Sequence, residues 1–400
     1  MVAVPDFPNA LPSAFFPDGV HVIGEGTIGP PSGDGFKPDE HYDCSPPFAG
    51  EKLRWCQAIG PDSWAVSSTG GRSFRLSEKN MSHGESQLIP HGANGLRTLG
   101  TWRPTPYDPP QREFNASQMQ VYAVDPAGRL TQRTESADIR FTGLPTPAWE
   151  FSPALNRPVR FASGQWLQTV VVQSAQQFAN GTFAPMGPCC NDSVVAFGSS
   201  DGFRWQFLSV VADKHQLPQF DEGPNENTLA ILPGGKEALC IFRVDGGDGQ
   251  PRRRHLPYYK AYTSTQGRTW SKAVSLPANV RSCRPRLITV GSTLILTGGR
   301  PLLSMWTSVD GRGDSWSAIN LAGWHNKGAP AGYRFSEQFA SSSDFSSGTA
   351  CTGSTCYTSL SGDGHGGGVV CYNLYVEAAA NASWQTTNTS YACMHFSVVA

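Results

Sequence analysis

Three residues able to do chemistry, Glu226, Arg284 and Tyr357, each stand three places before a leucine. The phrases are Glu226-Asn227-Thr228-Leu229, Arg284-Pro285-Arg286-Leu287 and Tyr357-Thr358-Ser359-Leu360. A carboxylate can take the proton of a phenol, a phenolate can attack carbon, and a guanidinium fork can hold a carboxylate through paired charge-assisted hydrogen bonds. After each phrase the chain turns and enters a second apolar run, over 238–242, 293–297 and 368–372. Two of these runs end in or just before an arginine: Arg243, 17 places after Glu226, and Arg300, 16 places after Arg284. Repetition of a strand-turn-strand unit in a radially repeated fold puts equivalent positions at equivalent places. Glu226, Arg284 and Tyr357 are therefore expected to face one shared point.

The elements that must position them are strands. With 43 glycines, 31 prolines and 11 tryptophans in 400 residues, the chain has many turns and pleated segments, and it shows no sustained apolar heptad. Length alone suggests two domains, but all-β propellers exceed that rule as single units. A net charge of −1 gives no long-range attraction to nucleic acid or anionic lipid, and the run Arg252-Arg253-Arg254 reads as a solvated loop. No apolar stretch is long enough to span a bilayer. Cys351 and Cys356 lack a second matching pair, so no metal site is expected, and Gly362-x-Gly364-x-Gly366 lacks the helix start of a phosphate cradle. No cofactor is expected either.

Ten cysteines, an even number, fit structural disulfides in an oxidising compartment. Six N-x-S/T sequons, at Asn80, Asn115, Asn180, Asn191, Asn381 and Asn388, point the same way. The opening Met1-Val-Ala-Val-Pro-Asp6 shows no charged region followed by an apolar core, so no signal peptide is visible. The expected location is secreted or lumenal.

Taken in order, residues 1–50 are loop-rich, with one run, Val20 to Ile23, able to donate a closing strand. Strand groups follow near 52–75, 95–143, 158–208, 226–272, 284–318 and 357–376, and the Ser/Gly-rich stretch 327–356 reads as a loop over one face. A second pattern is interleaved with them. Ser67 to Phe74, Ser199 to Trp205, Thr263 to Trp270 and Ser308 to Trp316 are variants of S/T-x-D/T-x-G-x-x-W/F. In this pattern a short polar side chain caps a tight turn, glycine takes the positive φ and the aromatic plugs the layer beneath.

These turns resemble the Asp boxes of the sialidase (neuraminidase) superfamily, and the threefold phrase resembles that family's active-site strand starts. Gly298-Gly299-Arg300-Pro301 is similar to a phrase of its divergent Asp-box (BNR-repeat) branch. The resemblance spans about 50–376 and is strongest over 195–318 and around Tyr357. It implies an all-β, six-bladed β-propeller over 51–400, preceded by the loop-rich segment 1–50. It also implies an exo-glycosidase that removes a terminal sialic acid or related acidic sugar from a glycan with retention. Tyr357 would be the nucleophile and Glu226 its base, because a carboxylate nucleophile would be repelled by the sugar's own carboxylate. Arg243 matches the second family arginine. The third is Arg284 or Arg286, two places apart and so on the same side of a strand. The first is Arg54 or Arg97. The family's acid/base Asp has no clear counterpart, since only 13 positions separate Arg54 from Ser67. Asp62 falls in a hairpin turn, which leaves Asp43 and Asp108 as substitutes from other loops.

Taken singly, these residues have ordinary readings: a core tyrosine, a solvated glutamate cap, salt-bridged surface arginines. His255 reads as a loop histidine, and Trp306 and Trp324 as filling between blades rather than sugar platforms. Matching Tyr357 and Glu226 to equivalent positions in separate blades is what favours chemistry. Two other functions fit the same residues: a non-catalytic propeller that binds acidic glycans, and a polysaccharide lyase acting on uronic acids.

Overall fold

The computed structural model describes residues within 110–116, 139–152, 157–182, 192–217, 223–244, 256–299, 302–329, 334–341, 358–362, 366–375 and 389–399, with short gaps. It also describes the backbone of strands at Leu11–Phe15, His21–Ile28, Arg54–Ile59, Ser63–Ser67, Arg75–Leu76, Ser86–Pro90, Gly95–Gly100, Gln120–Val124 and Leu130–Ser136. The chain is all-β, with two short helices among the described residues, Leu321–Gly328 and Glu337–Ser341. Neither helix is long and apolar enough to cross a membrane.

Two neighbouring four-stranded sheets carry the first two phrases. One runs in the order Asn227–Ile231, Ala238–Phe242, Tyr259–Thr263, Val274–Ser275, and the other Arg286–Val290, Thr293–Gly298, Ser304–Ser308, Ser317–Asn320. Both are antiparallel meanders. The third phrase opens the strand Thr358–Gly362, at the edge of a sheet continued by Gly367–Tyr375, Thr389–Val399, His21–Ile28 and Leu11–Phe15. Pairing there runs from His21 opposite Val399 to Ile28 opposite Ala392, so a strand from each end of the chain meets in one sheet.

Alternation explains why the strand Ala238–Phe242 is apolar at every position. Leu239 and Ile241 join Ala230, Leu287, Leu294, Leu296 and Trp306 in the core on one side. Ala238, Cys240 and Phe242 join Leu167, Val194, Ala196 and Leu229 on the other. Successive side chains point to opposite faces, and with both faces covered no position is left for a polar residue. Trp306 is fully buried, its indole N–H donating to the Asn279 carbonyl at 3.0 Å, and Trp324 lies in the core with Leu303 and Phe335. Both fill space, as the ordinary reading holds.

Hydroxyl groups tie the sheets together where each phrase begins. Thr228 accepts from the Leu287 N–H at 3.1 Å, Thr289 donates to the Ile231 carbonyl at 2.5 Å, and the Thr297 and Thr358 hydroxyls lie 2.8 Å apart. The two helices lie beside and within the stretch expected as a loop, and they arise from packing. Asn320 caps Leu321–Gly328 by accepting from the Gly323 N–H, and Leu321, Ala322, Trp324 and Ala340 join one apolar cluster.

One grouping differs from expectation. Phe114–Ala116 and Ile139–Thr142 leave the second strand group and extend the next sheet, where Ile139–Thr142 pairs parallel to Arg204–Asp213. The cause is aromatic packing: Phe114 stacks on Phe151 at 4.2 Å between ring centres, and Phe141 on Trp205 at 5.7 Å.

The turns at 199–205 and 308–316 are built on their aspartates. Asp310 accepts from the N–H groups of Arg312, Gly313, Asp314 and Ser315 at 2.7 to 3.0 Å and from the Ser308 hydroxyl at 2.9 Å. Partial burial pushes its carboxyl up, but the hydrogen bonds from Arg312, Ser315 and Ser308 outweigh this and hold it well below the usual 3.8. Its stabilising contribution is therefore full above that ordinary value and fades as pH falls through the lower folded one. Because the side chain is exposed, Asp310→Asn is expected to cost only about 1–2 kcal/mol at pH 7, in line with lost caps. The gap to wild type in urea midpoints should narrow below about pH 4.

Candidate functional site

Glu226 immediately precedes the strand Asn227–Ile231, and Arg243 immediately follows its antiparallel neighbour. Because Asn227 pairs with Phe242, the two charged residues emerge side by side at one end of the sheet. Backbone hydrogen bonds continue the pairing past the strands, from Arg243 N–H to the Glu226 carbonyl at 2.9 Å and from Asn225 N–H to the Arg243 carbonyl at 3.0 Å. The Arg243 Nη1 donates to Glu226 Oε2 at 3.0 Å, with side-chain exposures of 6% and 14%. This ion pair is largely desolvated.

A second donor reaches the same oxygen from the next sheet. The backbone N–H of Arg284 donates to Glu226 Oε2 at 2.7 Å. Arg284 is buried and has φ of 32°, in the left-handed region. A non-glycine residue held there costs on the order of 1–3 kcal/mol and persists only where the surroundings over-determine it. This corrects the alternation argument for Arg284 and Arg286. The strand begins at Arg286, opposite Thr297, and Arg284 lies before it with non-extended backbone, so the two are not successive same-side positions. Both are buried.

Behind Glu226 lies Tyr258, which no spacing in the sequence marks. It is fully buried, and its hydroxyl donates to the Cys283 carbonyl at 2.9 Å. Burial first, with the nearby Glu226 carboxylate, holds its phenol well above the ordinary value of 10, against the neighbouring Ser282 hydroxyl and the Arg243 charge. Tyr258 is therefore a hydrogen-bond donor at working pH and not a nucleophile.

The segment leading into Glu226 turns at Gly223, whose φ is 89°. A Cβ there would lie 2.6 Å from the Asp192 carbonyl oxygen. Gly223→Ala is thus expected to destabilise by about 1–3 kcal/mol through strain and displaced backbone, and to move Glu226. Thermal unfolding checks the first effect, and the Arg243–Glu226 distance in a crystal structure the second. Lys214, in contact range of the same Cβ, also lines a cleft of about 670 Å³ with Leu144, Val172, Ser193, Phe207 and His215. That cleft adjoins the approach to Glu226 but does not contain it.

The structure thus brings together Glu226, Arg243 and the backbone of Arg284, from two sheets. Tyr357, Asp43, Asp108, Arg300 and His255 lie outside the described residues. Arg54 and Arg97 fall on the strands Arg54–Ile59 and Gly95–Gly100, with side chains outside the described set. Both described donors to Glu226 converge on Oε2, and Oε1 accepts no hydrogen bond from the described residues. A carboxylate fixed in this way can offer its second oxygen to a proton. Among the described residues no group of three or more His, Cys, Asp or Glu side chains could hold a metal ion.

No family model matches the chain, and no curated protein matches it. Its neighbours among solved structures include sialidases and other glycoside hydrolases. The Hadza microbial sialidase Hz136 superposes with a TM-score of 0.53 at 11% identity, covering 90% of this chain and 65% of that one. The GH93 α-L-arabinofuranosidase of Fusarium graminearum gives 0.49 at 13% identity, covering 91% and 97%, and the Trypanosoma rangeli sialidase gives 0.46 at 12%, covering 98% and 54%. This chain therefore spans a little under two thirds of the Hadza enzyme and about half of the Trypanosoma one. In fold, this chain is similar to a microbial sialidase, at an identity that establishes the fold alone.

Proposed function

We propose that this chain is a glycoside hydrolase of sialidase type, a six-bladed propeller that removes a terminal sialic acid or related acidic sugar from glycans with retention. The observation that carries the reading is the meeting of Glu226 with the Arg284 N–H, at the starts of two successive repeats 58 residues apart, and with Arg243 from the end of the first repeat's second strand. Such a meeting is what a repeated strand start is for.

In the proposed reaction Glu226 takes the phenolic proton of Tyr357 through Oε1, while Arg243 and the Arg284 N–H hold Oε2. The phenolate oxygen attacks the anomeric carbon, and the bond to the leaving oxygen breaks as an acid, Asp43 or Asp108, protonates it. Water then attacks the tyrosyl-linked sugar, giving its proton to that same acid, and the released phenolate recovers its proton from Glu226, so configuration is retained and both groups are restored. Arg284 or Arg286, with Arg54 or Arg97, would hold the sugar's carboxylate beside Arg243. The turns at 199–205, 263–270 and 308–316 would be Asp boxes joining the outer strands of each blade. A secreted or lumenal setting is proposed on the six sequons, of which Asn180 lies exposed on a described turn, and on the placement of Cys371 directly opposite Cys393 in adjacent strands.

The test is hydrolysis of a fluorogenic α-sialoside, with the first-formed anomer followed by proton NMR. Release of fluorophore with retained configuration supports the proposal. Saturable binding of a sialylated glycan without turnover would replace it with the glycan-binding reading, and an unsaturated ultraviolet-absorbing product from a uronic-acid polymer with the lyase reading.

A further inference from the structure

The peptide unit joining Cys283 to Arg284 is held at both ends. Its carbonyl accepts the Tyr258 hydroxyl at 2.9 Å, and its N–H donates to Glu226 Oε2 at 2.7 Å. The chain of bonds therefore runs from a buried phenol, through one peptide plane, to the carboxylate. Arg284 sits at φ of 32° to make this possible, directly before Pro285, a neighbour that favours extended backbone instead. Something outside the local sequence must hold the plane in place, and the Tyr258 hydroxyl is positioned to do so.

We propose that Tyr258 is a positioning residue for the site: by fixing the Cys283–Arg284 peptide it aims the Arg284 N–H at Glu226 and so orients the carboxylate. Hydrogen bonds in series polarise one another, so the donor to the carbonyl also strengthens the N–H as a donor to the carboxylate. The packing leaves the phenol little freedom. A Cβ added at Gly298 would lie 3.1 Å from the Tyr258 oxygen and 2.4 Å from the Ser282 Cβ, so the hydroxyl is boxed between the strand Thr293–Gly298 and the 282–284 turn. Ser282 closes the box, its Oγ lying 2.5 Å from that same added Cβ and so beside the phenol. Tyr258 touches no substrate in this scheme and acts only through the peptide.

The catalytic part of this inference rests on Glu226 being the base, but the positioning part does not, and the experiment separates them. In Tyr258→Phe, which removes one oxygen, amide hydrogen exchange is followed at Arg284 and at Leu296, a core-strand residue two places before Gly298. The expected result is exchange about 5- to 10-fold faster at Arg284 than in wild type, the scale of one lost hydrogen bond, with Leu296 unchanged. Equal acceleration at both amides means lost global stability only and overturns the proposal, as does unchanged exchange at Arg284. If Tyr258→Phe fails to fold, Ser282→Ala is decided by the same pair of amides. Where wild type turns over a sialoside, kcat should fall about 5- to 10-fold with KM within twofold; a change confined to KM overturns the catalytic part. Absence of turnover in wild type sinks the enzymatic reading and leaves the exchange result to decide the positioning one.

Discussion

Glu226→Gln is expected to lower kcat on a fluorogenic sialoside by roughly 10²–10⁴-fold, the contribution of a positioned general base, measured on folded protein because the change also leaves the Arg243 charge without its carboxylate. The amide keeps the shape of the carboxylate and can still accept on one oxygen from the Arg284 N–H. It cannot take the phenolic proton, and it presents an amide nitrogen where an oxygen stood. Tyr357→Phe should be at least as damaging, because it removes the attacking atom itself. The two changes together should cost about as much as the worse one alone, since base and nucleophile act as one unit. Turnover by Glu226→Gln within tenfold of wild type would remove Glu226 from the role of base.

Arg243→Met is expected to destabilise the protein by roughly 2–4 kcal/mol. Removing one member of a buried ion pair costs about 3–5 kcal/mol, because the other charge is left in a medium that solvates it poorly. The estimate is lowered here because Glu226 keeps 14% of its side-chain exposure and the Arg284 N–H. The double variant with Glu226→Gln should recover part of the loss, since the stranded charge is then gone. Urea midpoints at constant m-value measure both effects. A single variant within about 1 kcal/mol of wild type would show that the pair contributes no more than a surface salt bridge.

What could be read in the sequence was local. The phrase Glu226-Asn227-Thr228-Leu229 and its partner beginning at Arg284 mark strand starts because alternation and turn chemistry act over a few residues, and Thr228 and Leu287 are bonded across the sheets they open. The aspartate-built turns were visible for the same reason. What stayed hidden depends on distant neighbours. Nothing near Phe114 or Ile139 announces that they pack on Phe151, Phe197 and Trp205 rather than within their own strand group. The strand Thr389–Val399 and the helix Leu321–Gly328 were not expected either, since each is fixed by what covers it. Tyr258 carried no signal of its own. Its role follows from a carbonyl 25 residues away, and a backbone carbonyl leaves no trace in side-chain spacing.

The thiol of Cys283 is buried and belongs to the same residue whose carbonyl Tyr258 holds. An alkylating reagent can reach it only when the turn swings out, so its rate of modification times the opening of that turn. Cys240, buried in a strand core with its thiol pushed up by desolvation, is a second clock within the same molecule, set to the separation of whole sheets. Two chromophore-free reporters, one beside the charged cluster and one in the apolar interior, are thus already written into the chain.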